Sequence, residues 1–145
     1  MSGGVEATGA TPVAAGGPSL AIVILAVERL DRAVAFYRGA FGLRPRIEAP
    51  VFVELELPGG GGLGLYERAG FARNTGAEPG RPGPGQTTST ELYFHVEDLP
   101  AACARLARSG ARLLSPASLR PWGEEAAYFG DLDGNVVVVA ARAPR

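Results

Sequence analysis

Lysine is missing from this chain; all 14 of its basic residues are arginine. They stand against 15 acidic residues, and the formal net charge is −1. No basic run or stripe exists, so nucleic acid is excluded as an expected partner. Cysteine occurs once, at Cys103, so no internal disulfide can form. There is also no CxxC or Cys/His cluster that could hold zinc. Cys103 falls within a helical pattern at a core-like spacing and reads as a small buried apolar residue. Histidine and tryptophan also occur once each, at His95 and Trp122. No apolar run approaches the roughly 20 residues of a membrane span, so no membrane role is expected. The first residues carry no positive start and no apolar core of a secretion signal. The expected location is therefore cytoplasmic.

What is there is a repeat. Val27-Glu28-Arg29-Leu30 precedes alanines at Ala33 and Ala35, and Val96-Glu97-Asp98-Leu99 precedes alanines at Ala102 and Ala104. Each pair is 69 residues apart (96 − 27, 104 − 35). So long a period in 145 residues implies two copies of one supersecondary unit, not a solenoid. Residues 1–19 are mostly Gly, Ala, Ser, Thr and Pro and are expected to form a disordered tail. Leu20 to Val27 reads as a buried strand. A helix follows from Arg29 or Asp31, with Leu30, Val34, Tyr37 and Phe41 at helical spacing and Gly42 as its stop. Short strands are expected at Arg44–Glu48 and Val51–Leu57. The latter pairs through a glycine turn with Leu63–Glu67. Gly70 to Thr90 is rich in Gly and Pro and reads as a loop. The second unit repeats the order: a strand at Glu91–Val96, a helix at Leu99–Arg108, and a strand at Arg112–Ser115. A loop over Pro116–Gly123 and a hairpin from Ala126–Phe129 to Val136–Ala141 complete it.

The strings AVERLDRAVAFYRGAFGLRP, YFHVEDL and PWGEEAAYFGDLDGNVVVV, in this order, resemble the vicinal oxygen chelate superfamily, the group of glyoxalases, bleomycin resistance proteins and dioxygenases. Leu132 departs from the family's usual proline in the turn. The resemblance implies an α+β fold in which two βαβββ modules curve a mixed sheet around a concave cup. It covers a single domain over 20–142, with module one at 20–68, a connecting loop at 69–90 and module two at 91–142. In the family's metalloenzymes four strand positions face the cup and hold a divalent ion. The matching positions here are Ile22, Gly64, Glu91 and Val138. Only Glu91 has a donor atom, and an ion needs several converging ligands. No metal and no other cofactor is therefore expected.

Strand alternation sorts the remaining residues. Leu92, Phe94 and Val96 share one face, under a helix; Glu91, Tyr93 and His95 share the other, toward the cup. The same parity places Ile22, Ile24 and Ala26, then Gly62, Gly64 and Tyr66, then Val136, Val138 and Ala140 on the cup side. Gly62 and Gly64 are expected to leave room there. The face of Phe52, Glu54 and Glu56 is not fixed by the pattern. Glu91 and His95 lie roughly 13 Å apart along one strand, too far to share a proton. Trp122, in a Pro-Trp-Gly loop, is either a packing lid or a stacking wall.

The expected ligand-binding set is Glu91, Tyr93, His95, Trp122, Tyr66, Ile22, Ile24, Gly64 and Val138, with no catalytic residue assigned. Three functions fit. The first is a metal-free protein similar to the bleomycin resistance members, which sequesters a flat apolar or cationic small molecule. The second is a glyoxalase- or dioxygenase-like enzyme, in practice a metal-independent lyase or isomerase using His95, Tyr93 or Glu91 as acid–base groups. The third is a ligand-free regulatory or structural dimer. The family likeness also implies a homodimer. Removing residues 1–18 should leave the melting temperature nearly unchanged. The segment offers little apolar surface, and ordering it would cost about 1 kcal/mol or more per residue. Calorimetry on the truncated chain checks this, and a fall of many degrees would contradict it.

Overall fold

The computed structural model describes residues 15–142. The expected tail over 1–19 lies outside them except for 15–19, which form no helix or strand. The elements run β1 (Ile22–Val27), α1 (Leu30–Phe41), β2 (Pro45–Ala49), β3 (Phe52–Glu56) and β4 (Gly62–Glu67). After α2 (Arg68–Thr75) come β5 (Glu91–His95), α3 (Leu99–Arg108), β6 (Arg112–Leu119), β7 (Glu124–Gly130) and β8 (Val136–Arg142). Two four-stranded mixed sheets result, ordered β1-β4-β3-β2 and β5-β8-β7-β6. In each, the first strand pairs in parallel with the last and the other pairings are antiparallel. The sequence repeat is thus a repeat of topology. No helix among the described residues is long and apolar enough to cross a membrane.

One core serves both modules. Alternation buries Leu25 and Val27 of β1, Val53 and Leu55 of β3, and Leu63 and Leu65 of β4. From the second sheet Phe129, Val137 and Val139 join the same cluster. Helix α1 adds Leu30, Ala33, Phe36, Tyr37 and Ala40, a stripe at three- and four-residue spacing. Helix α3 adds Leu99, Ala102 and Leu106. Burying each leucine contributes about 1.5–3 kcal/mol. The modules meet along α1: its Phe41 ring stacks on Phe94 of β5 with centroids 4.0 Å apart, and Arg105 of α3 donates to its Ala40 carbonyl at 3.3 Å.

Three expectations are corrected. The connector is not wholly a loop, because Arg68–Thr75 forms α2. It lacks an apolar stripe, burying only Gly70, so helical periodicity could not reveal it. Strand β6 continues to Leu119, through the expected loop. Its register shifts beside Ser115, and it is an edge strand, where a proline such as Pro116 is tolerated. Cys103 is half-buried and not fully in the core. It lines an outer apolar groove of about 590 Å³ between α3 and the β6–β7 hairpin. Partial burial pushes its thiol pKa up.

The turn between β7 and β8 ties the second module to the first. Asp131 is buried, and its carboxylate accepts from the Tyr37 hydroxyl at 2.5 Å, the backbone N–H groups of Asp133 and Asn135 at 2.9 Å each, and the Asn135 amide at 3.0 Å. Asp133 in turn accepts the Glu28 N–H at 2.8 Å, just beyond the end of β1. Thr88 of the connector bonds Asn135 at 2.7 Å. Burial, followed by the Asp131 charge, raises the Tyr37 pKa well above that of a free phenol, so the hydroxyl remains a donor at any ordinary pH. Tyr37→Phe would leave the buried carboxylate one donor short. The expected cost is about 1.5–3 kcal/mol, the worth of a hydrogen bond to a charged group. Urea denaturation checks this, and a midpoint unchanged from wild type would contradict it.

Candidate functional site

The burial of Val53 and Leu55 settles the face that sequence parity left open: Phe52, Glu54 and Glu56 lie on the side opposite the core. Register carries that face across the first sheet. Phe52 pairs with Tyr66 and Glu54 with Gly64 on β4, and Tyr66 and Gly64 pair with Ala26 and Ile24 on β1. In the second sheet the matching face holds Glu91, Tyr93 and His95 of β5, and Val136, Val138, Ala140 and Arg142 of β8. It also holds Glu124, Ala126 and Tyr128 of β7. These faces, turned away from the shared core, are the ones the family resemblance assigns to the cup.

The second half of the cup side carries a connected polar chain. The Trp122 indole N–H donates to the Tyr93 hydroxyl at 2.8 Å, and that hydroxyl donates to Glu124 Oε1 at 2.5 Å. Glu124 Oε2 lies 2.7 Å from His95 Nε2. The rings of Tyr93 and His95 sit edge to face, with centroids 5.6 Å apart. Strands two apart in a sheet are roughly 9.5 Å from one another, so β5 and β7 side chains meet only across a small residue. Ala140, on the strand between them, is that residue. Beneath the chain, Ala126, Val138 and Ala140 form a buried cluster with Tyr128 and Val136 packed against it.

Trp122 owes its position to a tight turn. Strand β6 is joined to β7 by Arg120–Gly123, closed by bonds from Arg120 N–H to the Glu124 carbonyl and from Gly123 N–H to the Arg120 carbonyl. Gly123 has φ +91°, a conformation glycine adopts without strain. The Arg120 guanidinium lies 4.8 Å over the Tyr128 ring and donates to the carbonyls of Ala126 and Pro116. The turn is thereby strapped to the hairpin while Trp122 remains 54% exposed.

The electrostatics follow from these bonds. The Tyr93 hydroxyl, with His95 second, holds the Glu124 carboxyl below the usual carboxylate range. Loss of hydration, reinforced by the Glu124 bond, pushes the Tyr93 phenol up. The site at neutral pH is therefore a carboxylate fixed by two donors and rimmed by three aromatic rings.

The expected residues divide between the two halves. Tyr93, His95 and Trp122 come together around Glu124. Glu91 lies on the same face of β5, exposed, two positions before Tyr93. Val138 is fully buried under that face. Tyr66, Ile22, Ile24 and Gly64 belong to the first sheet. There the expected room is filled: a Cβ at Gly64 would lie 2.9 Å from Ile22 Cδ1 and Phe52 Cε1 and 3.0 Å from Ile24 Cγ1. Gly62 is covered by the ion pair of Arg46 and Glu54. The Tyr66 hydroxyl accepts from Asn74 of α2 at 3.1 Å. Glu124 was missed because the hairpin strand was expected to start at Ala126, leaving both glutamates in the turn. The alternation Glu124, Ala126, Tyr128 was the available signal.

A divalent ion does not fit these residues. Of Ile22, Gly64, Glu91 and Val138, only Glu91 carries a donor, and Ile22 itself occupies the space over Gly64. Among the described residues no three His, Cys, Asp or Glu side chains converge as a metal-holding group.

Comparison with known proteins agrees with this architecture. A family model for the Glyoxalase/Bleomycin resistance protein/Dioxygenase superfamily matches residues 19–139. A glyoxalase-related enzyme from Fulvimarina pelagi superimposes with a TM-score of 0.75 at 25% identity, over 86% of this chain and 88% of that one. A lactoylglutathione lyase from Agrobacterium tumefaciens gives 0.64 at 24% identity, over 86% and 94%. TioX from Micromonospora sp. ML1 gives 0.63 at 24% identity, over 87% and 100%. No curated protein matches the chain in sequence.

A carboxyl whose folded pKa is depressed stabilises the fold above its unfolded pKa, about 4.3 for glutamate. That contribution is lost as pH falls through the folded value. The stability gap between wild type and Glu124→Gln should therefore be larger at pH 7 than at pH 3. Urea denaturation at the two pH values measures it, and equal gaps would contradict the bonding described.

Proposed function

The chain belongs to the glyoxalase/bleomycin resistance protein/dioxygenase superfamily, and within it we propose a protein that binds and sequesters a flat apolar or cationic small molecule without a metal. The observation that carries this reading is the chain Trp122–Tyr93–Glu124–His95 on the cup side. An exposed indole beside a phenol and an imidazole is a stacking surface of the kind that holds planar ligands. The carboxylate among them favours a ligand with a hydrogen-bond donor or positive charge. Ile24, on the corresponding face of the first sheet, is also exposed. The polar anchor in this reading is Glu124, with Glu91 as a second acidic group further along β5. The family's metal positions, which lack a donor set, support binding without an ion.

One observation favours a second reading, a metal-independent lyase or isomerase. The His95–Glu124 pair has the geometry of an imidazole oriented by a carboxylate, the arrangement of many general bases. That reading requires turnover that is lost in His95→Gln. The binding reading requires only a complex.

Trp122 is the sole tryptophan, so its fluorescence reports on this turn alone. A screen of planar aromatic compounds should find ligands that quench it. Isothermal titration should then show their affinity weakened about tenfold in Trp122→Ala, the loss expected for one stacking partner. Ligands that bind Trp122→Ala and Glu124→Gln as tightly as wild type would contradict this assignment.

A further inference from the structure

The internal repeat puts a groove on each module, between its helix and the hairpin of its second and third strands. The two grooves differ in chemistry. In the first module the groove holds about 670 Å³, and its helical wall is Leu30, Asp31, Val34, Ala35 and Arg38. In the second it holds about 590 Å³, and its helical wall is Leu99, Pro100, Cys103, Ala104 and Ala107, each 69 residues further on. Pro100 thus stands where the first module has Asp31, and Ala107 where it has Arg38. Glu48 and Glu67 add two more charges to the first groove. The second has a single charged residue, Glu125. One topology supports both grooves, so the apolar character of the second belongs to its residues and not to the fold.

The size of the second groove suits a small molecule, for which pockets run to about 300–1,000 Å³. It does not suit a protein face. Its lining is 12 residues, against roughly 20–30 a side in a stable protein–protein contact. On the solvent side of α3 the apolar surface stops at Arg105 and Arg108, both exposed. The walls are aliphatic: Phe129 is the one ring among them, and at 4% exposure it offers no stacking face. Glu125 lies on the core-side face of β7 with Ala127 and Phe129, toward the end of the strand. Among the described residues it forms no ion pair. An unpaired carboxylate bordering aliphatic walls is complementary to a cation that carries its own apolar body.

We propose that the groove between α3 and the β6–β7 hairpin is a second small-molecule site, which takes an aliphatic amine with its chain against α3 and its ammonium at Glu125. The site lies on the face of the second sheet opposite to Glu124. It therefore stands independently of the reading of the cup.

The test uses n-octylamine, with 1-octanol and octanoate as chains of similar length bearing no charge and a negative one. At pH 8 the amine is protonated, since alkylamines titrate near lysine, at about 10.4. Cys103 is the only cysteine and lines the groove, so its labelling by methyl methanethiosulfonate, a small neutral thiol reagent, reports on this site alone. Trp122 fluorescence follows the cup separately. On the intact chain, saturating octylamine should slow labelling at least threefold. Its half-saturating concentration should be about threefold lower than that of octanol, a modest factor because Glu125 is exposed. Octanoate should be the weakest of the three. In Glu125→Gln the advantage of the amine over the alcohol should disappear. In Ala107→Arg, which gives this exposed helix position the side chain of its repeat counterpart Arg38, protection should be lost. Arginine is a good helix former, so circular dichroism should be unchanged. Unslowed labelling in wild type, equal protection by all three compounds, an amine preference retained in Glu125→Gln, or protection retained in Ala107→Arg would each overturn the proposal. Quenching of Trp122 without protection of Cys103 would overturn it too, the chain then binding at the cup. So would labelling that quickens on dilution of the protein alone, the sign of a second copy seated in the groove.

Discussion

The buried hydrogen bond from Tyr37 to Asp131 links the two halves of the chain where a mistake would be costly. A carboxylate taken out of water must have its oxygens occupied, and Asp131 finds donors only when the β7–β8 turn is formed and α1 lies against it. The apolar core alone would let the modules slide, because hydrophobic burial has no direction. Asp131, together with the Asp133 contact to the end of β1, converts that tolerance into one relative position. The relative placement of the two sheets depends on this constraint, since they are not hydrogen-bonded to each other.

Within this frame the two modules use the same face differently. In the first sheet, Ile22, Ile24 and Phe52 close over Gly64, and Arg46 and Glu54 neutralise one another over Gly62. That half is a wall. In the second sheet, small residues at Ala126 and Ala140 let longer side chains from flanking strands meet above them, and the result is a polar cluster with an exposed aromatic rim. Repetition of topology has therefore not produced repetition of chemistry. Fold membership alone does not tell which half carries the polar cluster.

Much of the architecture was legible in the sequence because its signals are periodic. The 69-residue repeat, the stripe from Leu30 to Phe41 and the alternation of Glu91–Val96 each rest on side chains that must face the core. Helix α2 was not legible, since a helix that buries only Gly70 has no stripe to read. Strand β6 was cut short by Pro116, whose meaning depends on whether a strand is central or at an edge. Of the site, Tyr93, His95 and Trp122 could be named from parity and rarity, whereas alternation could put Glu124 on the right face but not name its partners. Its role depends on strand order, which puts β8 between β5 and β7, and on an alanine at one position of β8. Glu91 is the carboxylate that the alternation of β5 itself puts on this face. The bonds to Tyr93 and His95 are made instead by a residue 29 positions beyond His95.

The packing over Gly64 also bears on how such a chain can change over generations. To acquire a liganding side chain there, a descendant would first have to place a Cβ where Ile22, Ile24 and Phe52 already touch. Shrinking Ile22 beforehand would open a void and sacrifice stability, with nothing gained until further donors appeared. Neither order of substitution is improved at its first step. The apolar wall therefore acts as a ratchet. Variation in this lineage would be channelled toward the rim, where the exposed Trp122 can be exchanged at little cost to the fold.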